Sequence, residues 1–466
     1  MTDPSPGPAP PRGMRDFLVI WTGQVVSNLG TGLSGFALGV WAYRLTGSAT
    51  ALSLITLFAT LPNTLLSPLA GALIDRWGRR TALLLNNFGS GACTLIMASL
   101  YWAGALQMWH VYVLVCASRC FNVFQLPAFS ATTSLLVPRR QLVRANGMAQ
   151  LGPAAAQVGA PLLAAALMDV IGVGGVIFLD CCSFLFAAVT LLAISIPKPA
   201  VSAAGREGRG SLLYESFYGW TYMRQRPGLL GLMLFFAFAN YCLVVVQILV
   251  TPLVLSFGTA RTLATVLTSG AVGAVLGGLA LGVWGGDRSL RRIPIILGFT
   301  LLQGLTLLLG GLQPNALLVA GAMAVALFAL PVIRGSSEAI WQSKIPQDLQ
   351  GRVFAMRRMV AGIAFPLAGA SAGPLADRVF KPLLLPGGAL AGSVGRVIGV
   401  GPGRGVGLMF MLSGVLTLLS VAVIYAYRPV RNVETELPDV LGDDVPETSP
   451  GAVAAASSGL AERTSG

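Results

Sequence analysis

The sequence has little charge: 11% of its 466 residues are Asp, Glu, Lys or Arg, whereas 55% are hydrophobic and the mean hydropathy is +0.74. Soluble globular domains are about one-quarter charged. The composition therefore argues against the roughly three soluble domains that the length alone would allow, and it favours one membrane-embedded body. The net charge of +13 and the pI of 10.0 would also fit a nucleic-acid-binding protein, so the positions of the basic residues must decide between the two.

Histidine is nearly absent, since His110 is the only one. The sequence therefore argues against a zinc protease, a histidine proton relay and a Ser-His-Asp triad, because each of them depends on histidine. No GxxxxGK[ST] segment exists and no lysine follows a glycine, which excludes a pump with its own phosphate-binding loop. The six cysteines lie in apolar runs without metal-ligand spacing, and we expect buried thiols. We predict no enzyme, no metal and no bound cofactor.

Long hydrophobic runs are abundant. A spanning helix needs about 20 predominantly apolar residues, and twelve such runs form two sets of six. They lie at 17–43, 50–73, 81–103, 109–133, 147–168 and 173–196, and at 229–255, 263–284, 293–312, 316–341, 354–378 and 405–427. We predict an all-α integral membrane protein with twelve transmembrane helices in two six-helix halves. The first run is too long for a cleaved signal and follows a Pro-rich leader.

The runs divide the chain into five predicted regions. These are a leader at 1–16, an N-terminal half at 17–196, a hydrophilic linker at 197–228, a C-terminal half at 229–427 and a tail at 428–466. The tail is acidic and then rich in Ala, Ser and Gly, so we expect it to be disordered. The second part of the linker holds aromatic residues and two arginines, which predicts a short interfacial helix.

Basic residues predict the orientation. With the N-terminus placed inside, twenty-three of the 31 Lys and Arg residues fall on the inner side, six fall outside and two lie within spans. Because cytoplasmic loops are enriched in Lys and Arg, both termini are predicted to be cytoplasmic. This bias explains the high pI without a nucleic acid. We predict a multi-pass monomer in a bacterial inner membrane, surrounded by lipids.

One connection carries an acid and three arginines between spans two and three: "PLAGALIDRWGRRTALLL", residues 68–85. A positive-inside bias alone explains the arginines, but it does not explain the acid or the two glycines. The pattern resembles the signature G-x-L-a-D-r-x-G-r-[RK] of the major facilitator superfamily, at the location where that family carries it. The matching residues are Gly71, Leu73, Asp75, Arg76, Gly78, Arg79 and Arg80.

The resemblance extends over roughly residues 15–427. "WTGQVVSNLG", "LPAFSATTSLLVPRRQLVRANG", "GSSEAIWQSKIPQDLQGRVFAMRRM" and "GPLADRVF" are similar to the drug:proton antiporter branch that contains macrolide efflux proteins and the enterobactin exporter. This implies proton-coupled efflux of a drug-like or secondary-metabolite compound (nonribosomal peptide, siderophore or macrolide type) by alternating access around a midplane cavity. The alternatives are an importer or uniporter of the same fold, or a non-transporting membrane scaffold.

The resemblance also implies roles for single residues. Asp75 would be a conformational latch that accepts hydrogen bonds from free amides at a helix start, where the macrodipole favours an anion. The candidate partner is a helix predicted to begin at Gly351. Arg119 falls where the superfamily's second motif has an arginine associated with proton transfer, although a structural arginine is an alternative. Thr31 stands where branch members often carry an acid after "S-x-x-G", so a proton site is not expected there.

Ionisable groups at membrane depth usually face a cavity or a partner. Asp180 is a candidate proton-binding acid, and its alternative is a packing acid that is hydrogen-bonded to a neighbour. Arg334 and Glu338 are four residues apart and can face each other on one helix, as a structural ion pair or as a coupling element. Asp169 and Asp377 lie near the outer ends of spans and are interpreted as interfacial.

Uncharged polar residues in apolar spans are candidates for lining a cargo cavity, although such residues also join helices. The candidates are Trp21, Gln24, Asn28, Asn63, Gln125, Asn240, Tyr241, Gln247 and Gln303. An apolar cavity with scattered amides suits a bulky amphipathic compound. "GPAAAQVGAP" resembles a degenerate antiporter motif in which a kink and a close helix approach would serve gating, and it keeps Gly152, Pro153 and Gly159.

Overall fold

The computed structural model describes residues 14–138, 141–194, 220, 223–284, 291–345 and 347–436. The predicted leader lies almost entirely outside these ranges, as do most of the predicted linker with its interfacial helix and most of the predicted tail. Within the described ranges the chain is almost wholly helical and contains no strand, as an all-α membrane protein requires.

Twelve helices of 12 or more residues follow one another in the described chain. They are α1 Met14–Thr46, α2 Ala49–Trp77, α3 Arg79–Trp102, α4 Met108–Asn122, α5 Gln125–Leu136, α6 Leu142–Leu192, α7 Pro227–Leu255, α8 Ala260–Trp284, α9 Arg292–Leu312, α10 Ala316–Lys344, α11 Gln347–Leu375 and α12 Arg404–Ala426. A π-helical turn, Ala376–Phe380, extends α11, and short helices lie at Lys381–Leu383, Gly395–Ile398, Arg428–Arg431 and Val433–Glu436.

Helix α6 holds two membrane crossings. Eleven stretches of the described chain are long and apolar enough to cross a membrane, and one of them, Gly147–Leu192, has 46 residues. At 1.5 Å per residue it would be about 69 Å long, whereas a bilayer's hydrocarbon core is about 30 Å thick. Gly172 divides it, because φ of 67° and ψ of 179° are not helical and suit glycine. The sequence predicts a boundary at this place, between 168 and 173.

The two arms of α6 fold back on each other beside α1. Trp21 Nε1 donates to the Met148 carbonyl at 2.7 Å in the first arm. Only two residues further along α1, Gly23 packs against Thr190 in the second arm. Residues 148 and 190 therefore lie at the same level, which requires a reversal at Gly172. The described chain makes twelve crossings, as the hydrophobic runs predict.

The fourth predicted span, 109–133, is interrupted in the middle. Helix α4 ends at Asn122 and α5 begins at Gln125. The break before Gln125 places Pro127 in the first turn of α5, where its missing N–H costs no helical hydrogen bond. Asn122 Nδ2 donates to Gln125 Oε1 at 2.6 Å across the break, which turns both amides to the inside of the bundle.

The bundle has two ends. We call the end at which α1 begins and α12 ends the terminal face, and the end at which α1 ends and α12 begins the distal face. In the distal half, one buried hydrophobic cluster contains residues of both chain halves, among them Leu33 and Val246. In the terminal half, the described clusters are separate, with Phe17 in one and Trp341 in the other. Among the described residues, the halves therefore share a core towards the distal face.

Helices α2 and α11 run antiparallel across the boundary between the halves. A Cβ atom added at Gly369 of α11 would lie 2.8 Å from the backbone nitrogen of Leu57, closer than side chains pack. Gly373 is equally tight against the Thr50 backbone. The two glycines let the helix backbones touch, which brings the distal ends of α2 and α11 together.

Candidate cavity between the two halves

Three cavities lie along the boundary between the halves, with Phe365 of α11 in the wall of each. The N-side cavity, about 710 Å³, is lined mainly by α1, α2, α4, α5 and α6. The C-side cavity, about 350 Å³, is lined by α7, α9, α10 and α11. The central cavity, about 1000 Å³, is lined by both halves and reaches into the distal half. The volumes are large enough for a bulky small molecule.

The N-side cavity brings together five of the predicted polar residues, Trp21, Gln24, Asn28, Asn63 and Gln125. Gln125 Nε2 donates to Gln24 Oε1 at 2.8 Å, and Asn122 donates to Gln125 in turn. This amide chain joins α4, α5 and α1 across the cavity wall. Gln24 is buried and its own Nε2 has no partner, which leaves one buried donor at this wall.

Three of the four predicted polar residues in the C-terminal half also line cavities. Asn240 and Gln303 line the C-side cavity and Gln247 lines the central one. Tyr241 does not, and its assignment to the cavity is corrected: its hydroxyl lies 2.8 Å from Ser371 Oγ of α11. One helical step of about 100° separates it from Asn240, which is enough to turn it into the packed α7–α11 contact.

Two of the three predicted gating residues lie at the N-side cavity. Gly152 and Pro153 line it, and a Cβ at Gly152 would come 2.8 Å from Val25 Cγ2, so the predicted close approach of helices occurs there. Gly159 has room, since the nearest atom to an added Cβ is Leu163 Cδ1 at 4.0 Å. The close approach therefore does not include Gly159.

Asp180 is buried, with 1% of its surface exposed. Ser34 Oγ donates to its carboxylate at 2.6 Å, and the hydroxyls of Thr31 and Ser183 lie at 3.4 Å. The carboxylate thus lies beside Thr31, the position at which members of the similar antiporter branch often carry an acid and this sequence does not. The acid comes from α6 instead of α1, because the second arm of α6 packs along α1.

Arg119 connects the surroundings of Asp180 to the larger cavities. Both residues line a fourth cavity of about 110 Å³ inside the N-terminal half. Arg119 also lines the N-side and central cavities. Its guanidinium is therefore placed between the buried acid and the space between the halves. Among the described residues no group of His, Cys, Asp and Glu side chains could hold a metal ion.

Glu338 forms an ion pair with Arg357 of α11. The predicted pair with Arg334 on the same helix is therefore wrong. Arg357 is fixed further by the rings of Trp341 and Phe354, 5.4 and 5.5 Å from its guanidinium carbon. The cation that pairs with Glu338 therefore comes from α11. Arg334, four residues before Glu338 on α10, lines the cavities instead.

The predicted loop signature is only partly described. Gly78 ends α2 and begins α3 with φ of 85° and ψ of 147°, and its N–H donates to the Ile74 carbonyl at 2.9 Å. Arg79 is the first residue of α3. Arg80 Nη2 donates to the Leu192 carbonyl at 3.0 Å, where a cation suits the C-terminal end of α6.

The proposed latch at Asp75 lies outside the described side chains, as do Gly71 and Arg76, so it stays a prediction. Its candidate partner needs a correction. Helix α11 begins at Gln347, not at Gly351. The amides without an intrahelical partner are therefore those of the first turn from residue 347, one turn earlier than predicted.

Gly78→Ala is expected to lower the free energy of unfolding by about 1–2 kcal/mol, because an L side chain is disfavoured at positive φ. The check is the midpoint of thermal unfolding in detergent. Gly298→Ala is the matched control, since Gly298 is helical and a Cβ there meets nothing within 4 Å. Equal midpoints for the two variants would contradict the conformational explanation of Gly78.

A contact that the sequence does not predict closes the distal face. The Asp377 carboxylate, in the π-helical turn after α11, accepts from Ser48 Oγ at 2.6 Å and from the Thr50 N–H and Oγ1, each at 2.7 Å. The Ala49 N–H lies at 3.2 Å. The second half of the chain thus caps the first turn of α2 with an anion. We call this contact the distal latch.

All hydrogen bonds between the halves that the structure describes lie in the distal half. Besides the distal latch, Arg261 pairs with Asp169 at 2.6 Å and Thr268 Oγ1 donates to the Val158 carbonyl at 3.1 Å. The ion pair is largely exposed, so it stabilises the contact little. The described contacts therefore join the two halves towards the distal face.

Twelve crossings in two halves, with polar and charged cavities between them, are the architecture of a secondary transporter. A family model described as "Major Facilitator Superfamily" matches residues 20–369. The chain belongs to this superfamily and is a multi-pass membrane protein. The family resemblance seen in the loop signature is confirmed.

Curated relatives from two bacterial species have the same name. Macrolide efflux protein A of Streptococcus pyogenes is 26% identical over 367 residues, which cover 78% of this chain and 90% of that protein. Macrolide efflux protein A of Enterococcus faecalis is 26% identical over 325 residues, which cover 69% and 99%. The resemblance to macrolide efflux proteins is therefore confirmed.

Solved structures confirm the fold. A bacterial homolog of the human lysosomal transporter Spinster matches with a TM-score of 0.64 and 15% identity, covering 91% of this chain and 98% of that chain. The nucleoside transporter NupG matches with a TM-score of 0.67 and 12% identity, covering 89% and 100%.

Proposed function

We propose that the chain is a proton-coupled exporter of a bulky amphipathic compound of drug-like or secondary-metabolite type. It acts by alternating access, as a monomer, without enzymatic activity, nucleic acid or cofactor; the proton gradient across a bacterial inner membrane drives it. The observation that carries the proposal is the set of adjoining cavities between the halves, lined by amides and charges and closed towards the distal face. The names of the macrolide efflux relatives support export.

The proposal assigns the terminal face to the cytoplasm, because the basic residues concentrate at that end of the spans. The distal latch and the shared distal core then close the outer side. The N-side and C-side cavities lie in the terminal half, lined by Trp21 and Gln150 in one and by Met233 and Arg358 in the other. Under this proposal, the described conformation receives cargo from the cytoplasm.

Asp180 is the proposed proton site, with Arg119 as its link to the cargo space. Hydroxyl groups surround its carboxylate, and a hydroxyl donates to an ionised carboxylate but accepts from a protonated one. The site can therefore satisfy both states without rearranging its backbone. Cargo beside Arg119 would change the field at Asp180, which couples the two. Glu338 is less suited to carry the proton, because its carboxylate is already engaged in the ion pair with Arg357.

Everted membrane vesicles test the proposal. With the lumen acidified by one pH unit, N-dansyl-phenylalanine or its uncharged amide should accumulate, by at most about tenfold for one proton exchanged per cargo. Collapse of the gradient with nigericin should abolish the accumulation, and vesicles without the protein are the control. Entry of cargo only to equal concentrations on both sides, with or without nigericin, would indicate a uniporter. Accumulation only when the lumen is the more alkaline side would indicate a proton-coupled importer. No transport of either compound in any orientation would favour a scaffold.

A further inference from the structure

The walls of the three large cavities carry more positive than negative charge. Among the described residues lining them are four arginines and one acid: Arg119, Arg334, Arg357, Arg358 and Glu338. The acid is already paired with Arg357. Arg119, Arg334 and Arg358 therefore line the cavities without an ion pair to any described residue.

Arg334 is the most unusual of the three. Helix α10 runs from Ala316 to Lys344, so Arg334 lies four residues past its middle, about 6 Å along the axis. That is well inside a hydrocarbon core about 30 Å thick. Its side chain is exposed to the cavities, and no described residue accepts a hydrogen bond from it. An arginine at this depth is costly unless a partner or water compensates its charge.

The position of Arg334 suits contact with a ligand. It lies in the wall shared by the C-side and central cavities. Arg358 of α11, also exposed, lines the same C-side cavity. The rest of that wall is largely apolar and includes Met233, Phe236, Leu330, Ile333 and Phe365. Two positively charged side chains beside an apolar wall form an amphipathic site that favours an anionic ligand.

We infer that the C-side cavity binds the oxyanion of an amphipathic acid, with Arg334 in direct contact and Arg358 adding to the field. A guanidinium binds a carboxylate or phosphate through two parallel hydrogen bonds, and the aromatic and aliphatic wall takes the apolar body. The inference rests on the proposed transport function and narrows its cargo to anionic amphiphiles. It also gives Arg334 a partner that the fold does not supply.

Binding of a matched pair of probes tests the inference. The probes are N-dansyl-phenylalanine, a carboxylate at neutral pH, and N-dansyl-phenylalaninamide, which has the same body without the charge. Fluorescence titrations use the full-length protein in phosphatidylcholine nanodiscs. The acid should bind about tenfold tighter than the amide or more, because a hydrogen bond to a charged group is stronger than a neutral one.

Variants assign the preference to a residue. Arg334→Gln should weaken binding of the acid about tenfold and leave the amide unchanged, while Arg334→Lys keeps part of the preference. Arg396→Gln is the matched control, since Arg396 is exposed and lines none of these cavities. Equal binding of acid and amide, no measurable binding of the acid up to millimolar concentration, or equal weakening of both probes by Arg334→Gln would overturn the inference.

A lipid headgroup is the other source of an oxyanion. Phosphatidylglycerol added to the nanodiscs should compete weakly with the acid; full displacement by a small mole fraction of this lipid would assign the site to lipid and overturn the cargo inference. Binding is measured without a gradient, so a failure of proton coupling does not alter it. Gradient-driven transport of the amide, without preference for the acid, would overturn the inference alone and leave the proposed function in place.

Discussion

Asp180→Asn is expected to reduce accumulation driven by the pH gradient to the level of vesicles without the protein. The amide cannot exchange a proton in this pH range, so the cargo loses its coupling to the gradient. Movement of cargo down its own gradient should continue, because the cavities between the halves do not include this side chain. The measurement is uptake in everted vesicles, with and without a pH gradient.

The substitution should leave the fold intact. Asn has nearly the same shape, and the hydroxyls of Ser34, Thr31 and Ser183 can donate to its carbonyl or accept from its amide. Asp169→Asn is the matched control, an exposed acid on the same helix, and should transport normally. If Asp180→Asn still concentrates cargo in response to the pH gradient, Asp180 is not the proton site.

Asp377→Ala is expected to open the distal face. The carboxylate accepts hydrogen bonds from two backbone amides and two hydroxyls at the start of α2, where the helix macrodipole also favours an anion. Loss of a helix cap of this kind costs about 2 kcal/mol, which is about thirtyfold in a conformational equilibrium. The protein should spend more time open to the outside, and net transport should fall.

Thiol accessibility measures this shift. Thr251 lines the central cavity in the distal half, so Thr251→Cys should react faster with a membrane-impermeant maleimide from the outside when Asp377→Ala is also present. The parent protein without Thr251→Cys corrects for the six native cysteines. Asp169→Ala removes the exposed ion pair at the same face and should change the rate little. An unchanged rate in Asp377→Ala would refute the latch.

The distal latch repeats a pattern already present in the sequence. Residues 71–76 read "GALIDR" and residues 373–378 read "GPLADR", so both contain G-x-L-x-D-R. The first lies at the terminal end of α2 and the second at the distal end of α11, and these helices run antiparallel. Comparison of the two segments would have suggested a latch at each face. The position of Asp377 at the outer end of a span favours an interfacial acid instead, because nothing in the sequence places α2 beside α11.

Several site residues could be predicted from the sequence because their role depends on one helix. Gln24, Asn63 and Asn240 are amides in apolar spans, and such groups avoid lipid by facing the bundle interior. The structure places all three in cavity walls. The prediction failed for Tyr241, which faces a neighbouring helix. A span alone does not tell which part of its inner face meets a cavity and which part meets a packed helix.

The sequence by itself determined the properties that depend on neighbours along the chain. Twelve apolar runs are long enough to cross a bilayer, and the predicted boundary between two of them falls at Gly172, where the backbone of one residue ends the helix. Membership of the superfamily followed from one loop signature. These features need no knowledge of which helices touch.

Only the tertiary structure decided the partners of the charged groups. Spacing along α10 allowed Glu338 to pair with Arg334, but packing of α11 brought Arg357 to it instead. Packing of α6 along α1 likewise put Asp180 beside Thr31. The physical reason is that an ion inside a membrane takes the partner that packing brings within about 4 Å, and that partner comes from a helix distant in the chain.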